Sequence, residues 1–129
     1  SLGMQALVEA FRKGAFARCE ELNLCDNDIG NEGMRALSEA ANNGALESLR
    51  SILLDSNGIG DEGMRVFAEA LGKGAMQNCQ SLNFSKNKIG SLGMQALAEA
   101  FRQGAFAHCE ELNLCNNDMG NEGMHALSE

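Results

Sequence analysis

Thirteen of the fifteen glycines fall on three columns that recur every thirty residues. Gly3, Gly33, Gly63, Gly93 and Gly123 form one column, Gly30, Gly60, Gly90 and Gly120 the second, and Gly14, Gly44, Gly74 and Gly104 the third. A globular domain has no reason to space glycine in this way. A stack that reuses one backbone unit does. The period therefore predicts a solenoid, an architecture better suited to binding or scaffolding than to an active site.

Each unit opens with a short alternating segment. The four are Cys19-x-x-Leu22-x-Leu24-x-x-Asn27-x-Ile29-Gly30, Leu49-x-x-Ile52-x-Leu54-x-x-Asn57-x-Ile59-Gly60, Cys79-x-x-Leu82-x-Phe84-x-x-Asn87-x-Ile89-Gly90 and Cys109-x-x-Leu112-x-Leu114-x-x-Asn117-x-Met119-Gly120. Period-two alternation of apolar residues predicts a strand with one buried face. Asn27, Asn57, Asn87 and Asn117 sit at the strand exits, where a buried amide must bond free backbone groups of neighbouring turns, forming a ladder.

After each strand the apolar period lengthens to about 3.6 residues. Met34, Leu37 and Ala41 share a spacing with Met64, Phe67 and Leu71 and with Met94, Leu97 and Phe101, which predicts an amphipathic helix. Asn31, Asp61, Ser91 and Asn121 are placed to cap these helices, and Glu32, Glu62 and Glu122 suit their positive ends. Gly14, Gly44, Gly74 and Gly104 mark where the helices should stop. No unit can bury its apolar face alone, so neighbours must stack.

These residues resemble the leucine-rich repeat family, in its long, helix-bearing subtype. The text Asn57-Gly58-Ile59-Gly60-Asp61-Glu62-Gly63-Met64 is similar to repeats of ribonuclease inhibitor, Ran GTPase-activating protein and NOD-like receptor sensor regions. The resemblance implies an α/β horseshoe arc, with parallel strands on the concave face and helices on the convex one. It covers residues 1–129 as a single array of about four units.

A longer period is superimposed. Residues 1–39 match 91–129 at 33 of 39 positions, whereas 31–60 match 61–90 at only 12 of 30. The reiterated unit is ninety residues, and recent duplication is the simplest origin. Both chain ends fall inside helical text and neither carries a polar cap, so the pattern predicts a piece of a longer array, or ends that stack on further copies.

A net charge of −8 argues against nucleic acid or an anionic membrane surface as partner. There is no stretch of about eighteen apolar residues to cross a membrane. A protein with a basic surface is the electrostatic counterpart. The five cysteines follow the repeat rather than a metal-ligand spacing, which predicts reduced thiols and a cytoplasmic setting. Cys19, Cys79 and Cys109 share a column with Leu49 and are expected in the core. Cys25 and Cys115 are expected on the open side of their strands, about 14 Å apart across three rungs, too far to pair.

Motifs that suggest chemistry dissolve into the repeat. Gly58-Ile59-Gly60-Asp61-Glu62-Gly63 spells a dinucleotide fingerprint, but Gly60 and Gly63 are period glycines, and Asp28, Lys88 and Asp118 stand at the Gly58 position. Asp26-x-Asp28-x-Gly30 lacks the distal bidentate glutamate of a calcium loop. His108 and His125 lie in no triad and are expected on the surface. No catalytic residue, cofactor site or metal site is assigned.

Residues alternating with the buried leucines should face the concave side. They are Glu21, Asn23 and Cys25; Ser51, Leu53 and Asp55; Ser81, Asn83 and Ser85; and Glu111, Asn113 and Cys115. Asp26, Asp28, Lys86, Lys88 and Asp118 follow at the strand-exit edge. This surface is polar and mildly acidic, without convergent acid, base and nucleophile. The expectation is a non-catalytic module that binds a protein through its concave face or strand-exit edge. A structural scaffold within a larger complex is the alternative, and regulation of a small GTPase rests on fold analogy alone.

Overall fold

The computed structural model describes residues 2–14, 18–105 and 108–118. Expectations placed on Met119, Gly120, Asn121, Glu122, Gly123 and His125 lie outside these residues. Helices and strands alternate in the order α1 (Leu2–Arg12), β1 (Glu21–Asn23), α2 (Gly30–Asn42), β2 (Ser51–Leu53), α3 (Asp61–Gly72), β3 (Ser81–Asn83), α4 (Ser91–Arg102) and β4 (Glu111–Asn113). The strands form one parallel sheet in chain order, each residue paired with the one thirty positions on. Leu22, Ile52, Leu82 and Leu112 thus stack in a single row. The ladder runs on past the strands, where the Leu24 N–H donates to Leu53 O and the Leu54 N–H to Asn83 O.

The core lies between this sheet and the helices. Ile52, Leu54, Leu82 and Phe84 come from the strand side, and Met34, Leu37, Met64, Phe67, Met94 and Leu97 from the helix side, all buried. Phe67 meets Phe84 edge-on at a centroid distance of 5.6 Å, a preferred aromatic arrangement. Leu46, Leu49, Met76 and Cys79 close the core on the return path from helix to strand. The thiol column departs from expectation, because Cys79 is buried while Cys19 and Cys109 are half-exposed. Their rungs pair on one side only among the described residues, so nothing there covers the second flank.

The helices end as the glycine columns require. Gly44, Gly74 and Gly104 take φ of 81°, 99° and 95°, the left-handed region that glycine enters without strain. At α3 the Gly74 N–H donates to Leu71 O and the Ala75 N–H to Ala70 O, which is the Schellman pattern. Gly44 and Gly104 repeat both bonds with their own neighbours.

The helix starts correct the expected caps. The residues preceding α2, α3 and α4 are Ile29, Gly60 and Gly90, and none of the three helices is capped by the side chain at that position. Asn31 and Asp61 lie inside the first turn and reach forward to the next repeat. Asn31 Oδ1 accepts from the N–H groups of Gly60 (2.8 Å) and Gly63 (2.9 Å). Asp61 Oδ1 accepts from those of Gly90 (2.7 Å) and Gly93 (2.9 Å). Stacking brings the start of the following helix, with its orphan N–H groups, alongside these side chains. The starts of α3 and α4 are thereby capped across the repeat boundary.

Candidate protein-binding face

Parallel in-register stacking determines what the concave face displays. Inward residues are consumed by the core, and the alternate residues form rows across the rungs. Glu21, Asn23, Glu111, Asn113 and Cys115 are exposed, and Cys25, Ser51, Leu53, Asp55, Ser81 and Asn83 are half-buried. Ser85 departs from the expected open position, being only 8% exposed. Its N–H donates to Asn83 Oδ1, and its carbonyl accepts from the Ser56 N–H and Asn87 Nδ2. With its backbone covered on both sides, a hydroxymethyl group adds little accessible surface.

Asn23, Asn83 and Asn113 have a local task. Each Oδ1 accepts from the N–H two residues on, that of Cys25, Ser85 or Cys115. These turns commit the amide oxygens and hold the side chains in fixed positions. Leu53 replaces asparagine in β2 and adds an aliphatic group to the middle of the row.

The second asparagine column lies beneath the strand exits. Asn57 Oδ1 accepts from the N–H groups of Asn27 and Ile29, and Asn87 Oδ1 from those of Asn57 and Ile59. Asn117 Oδ1 accepts from Ile89 N–H. The amide nitrogens reach the other way, with Asn87 Nδ2 donating to the carbonyls of Leu54, Phe84 and Ser85. Asn27, in the first rung, is exposed and its Nδ2 donates to Cys25 O. The column holds the turns that set the height of the strand-exit edge. Asp26, Ser56, Lys86 and Asn116 occupy it with φ between 57° and 61°, so a serine and a lysine adopt a conformation more natural to asparagine and aspartate.

Charge is segregated along this edge. Asp26, Asp28 and Asp118 are exposed, Asp55 is half-buried, and Lys86 and Lys88 interrupt the acidic run in the third rung. On the convex side Arg65 bonds Glu62 and Glu69 of its own helix, and Arg35 of α2 lies 3.6 Å from Glu62 of α3. The Arg65 hydrogen bond holds the Glu62 carboxyl below its usual range.

The dinucleotide-like glycines are already engaged. The Gly60 and Gly63 N–H groups, which a dinucleotide phosphate would need, already donate to Asn31. Among the described residues no group of three or more His, Cys, Asp or Glu side chains is arranged to hold a metal ion. No described helix is long and apolar enough to cross a membrane. His108 is exposed. Burial pushes the Cys79 thiol up to about 11 and shifts Cys109 in the same direction.

The cross-repeat caps were absent from the sequence reading. Their signal was a small acceptor (Asn31, Asp61) always two residues before a helical glycine. That glycine is required by approach rather than by φ, since a Cβ on Gly63 would stand 2.6 Å from Asn31 Oδ1.

A strand, a turn and a helix repeated in register, with a hydrogen-bonded asparagine at each strand exit, define a curved-repeat protein built to present a surface. A family model described as Leucine Rich repeat matches residues 20–38, 45–68, 77–98 and 108–128, and the chain belongs to the leucine-rich repeat family. Among solved structures it is similar to leiomodin-1 actin-binding site 2, with a TM-score of 0.76 at 23% identity, over 92% of this chain and 67% of that one. It is also similar to the tropomodulin C-terminal domain of Caenorhabditis elegans, with a TM-score of 0.66 at 15% identity, over 97% and 89%. At such identities the likeness concerns the fold. No curated protein is matched by its sequence.

Proposed function

We propose that this chain is a non-catalytic protein-interaction module whose concave face and strand-exit edge bind a protein with a basic contacting surface. The observation that carries the reading is the in-register row Ser51, Leu53, Asp55, Ser81 and Asn83, which offers an aliphatic group and a carboxylate amid fixed polar side chains. Asp26, Asp28 and Asp118 extend the acidic character along the adjoining edge. The family uses its repeats to display such surfaces, and the leiomodin-1 segment that shares the fold is described as an actin-binding site. That description makes actin a reasonable first partner to test. Unpaired thiols at all five cysteines fit work in a reducing, cytoplasmic compartment.

The test is affinity capture from source-cell extract, with purified actin as a separate arm, run beside a Leu53→Arg/Asp55→Arg variant. A partner retained by the parent chain and lost with the variant supports the reading. Capture of the same proteins by both chains overturns it.

A second reading, a structural array within a larger complex, is favoured by the 33 of 39 identities between residues 1–39 and 91–129. Fold constraint accounts for the core columns but not for identical surface residues. Mass that grows with concentration in sedimentation would favour this reading.

A further inference from the structure

At the opposite end of the strands, where the chain runs into the sheet, a shallow groove of about 560 Å³ crosses all four rungs. Arg18, Arg50, Asn78, Gln80 and His108 line it with donors, and Glu20 contributes a carboxylate. The carbonyls along this edge are already used. Glu20 O accepts from the N–H groups of Arg50 and Ser51, Arg50 O from those of Gln80 and Ser81, and Gln80 O from those of Glu110 and Glu111. A ligand here must be held by side chains. Arg50 lies 3.9 Å from Glu20, with both side chains more than 60% exposed, and so exposed a pair is cheaply exchanged for another carboxylate.

We propose that this groove docks an extended, carboxylate-rich segment of a partner protein, laid across the rungs. Three rung spacings of about 4.8 Å span about 14 Å, which an extended peptide covers in about four residues. Arg18 and Arg50 provide planar forks for carboxylates, while Gln80 and the second amide hydrogen of Asn78, whose Nδ2 also donates to Glu47 O, offer donors between them. The acidic strand-exit edge lies about 20 Å away along the strands, beyond a Debye length of about 10 Å at 0.1 M salt. The groove therefore keeps a local preference that the net charge conceals. No Phe, Tyr or Trp lines it for base stacking, which favours a peptide over a single-stranded nucleic acid. This inference is independent of the concave-face reading, because it concerns the other edge of the sheet and ligands of opposite charge.

The test is fluorescence anisotropy with a fluorescein-labelled hexapeptide of Asp and Glu, at about 0.1 M salt. The expected result is saturable binding that Arg18→Gln/Arg50→Gln weakens by about tenfold or more. Glu20→Gln should strengthen it, since it removes the competing carboxylate, and Lys86→Gln/Lys88→Gln on the far edge should leave it unchanged. Thermal melting establishes that each variant is folded. Absence of saturable binding, equal weakening by the lysine pair, or equal affinity for a short single-stranded oligonucleotide would overturn the proposal.

Discussion

Asp61 Oδ1 accepts a hydrogen bond from the amide nitrogen of Gly93, thirty-two residues ahead, at 2.9 Å. The same oxygen takes the Gly90 N–H at 2.7 Å, so one carboxylate caps the helix of the following repeat. Solenoid stability is a sum of unit and interface terms. Here a single atom contributes to an interface twice.

Removing that atom should therefore weaken the α3–α4 junction. Asp61→Ala is expected to cost about 1–2 kcal/mol in urea denaturation, as the loss of a cap does elsewhere. Asp61→Asn should retain most of the stability, because Asn31 performs the same task one repeat earlier. An alanine variant as stable as the parent would remove the cap from the account of this interface.

The partner glycines give a sharper contrast. A Cβ on Gly93 would lie 2.7 Å from Ile89 Cγ2 and 2.8 Å from Asp61 Oδ1, with the Asp61 backbone behind it. Gly93→Ala should destabilise by about 1–3 kcal/mol, although alanine favours a helix by nearly 1 kcal/mol over glycine. At Gly72 the obstacle is only the mobile end of Gln103, so Gly72→Ala should be neutral or stabilising. Equal melting shifts for the two substitutions would contradict this geometry.

The asparagine column should show a gradient from edge to interior. Asn87→Ala strands two N–H donors and removes three amide donations in the core, at an expected cost of about 3 kcal/mol or more. Asn87→Asp should also destabilise, because a carboxylate cannot donate to those carbonyls. Asn27 is exposed and donates only locally, so Asn27→Ala should cost far less. Chemical denaturation of the three variants checks the order.

The thiols differ in reactivity and in their effect on stability. Cys115 is exposed, whereas Cys79 is buried with its pKa raised to about 11. A thiol reagent near pH 8 should modify Cys115 first and Cys79 only as the chain opens. The unfolded Cys79 thiol ionises near pH 9, before the folded one, so the unfolded state binds fewer protons above that pH. Stability should thus fall as pH rises from about 9 to about 11, with Cys109 acting in the same direction. Cys79→Ala should flatten this dependence in a series of melts, and an unchanged slope would refute it.

Much of the architecture was legible in the chain because the repeat states it four times. Leu22, Ile52 and Leu82 alternate with polar residues, and Met34, Leu37, Met64 and Phe67 keep helical spacing. Gly44 and Gly74 stand where helices stop, since only glycine enters that backbone region freely. Less was legible of the candidate face. Alternation assigns a side to Ser85 but cannot count the bonds that cover it, and Asn23 and Asn113 look alike whether they meet a partner or their own turn.

By itself, then, the sequence determined the period, the order of strand and helix and the residues each must bury, because hydrophobic alternation and glycine conformation act over a few neighbouring positions. Only the tertiary structure decided which groups meet across thirty residues. Asn31 and Asp61 look like caps of their own helices, and stacking hands them to the next, where two unpaired N–H groups lie within reach. The groove between Arg18 and His108 arises in the same way. Its lining comes from four separate rungs, and register alone brings them onto one edge.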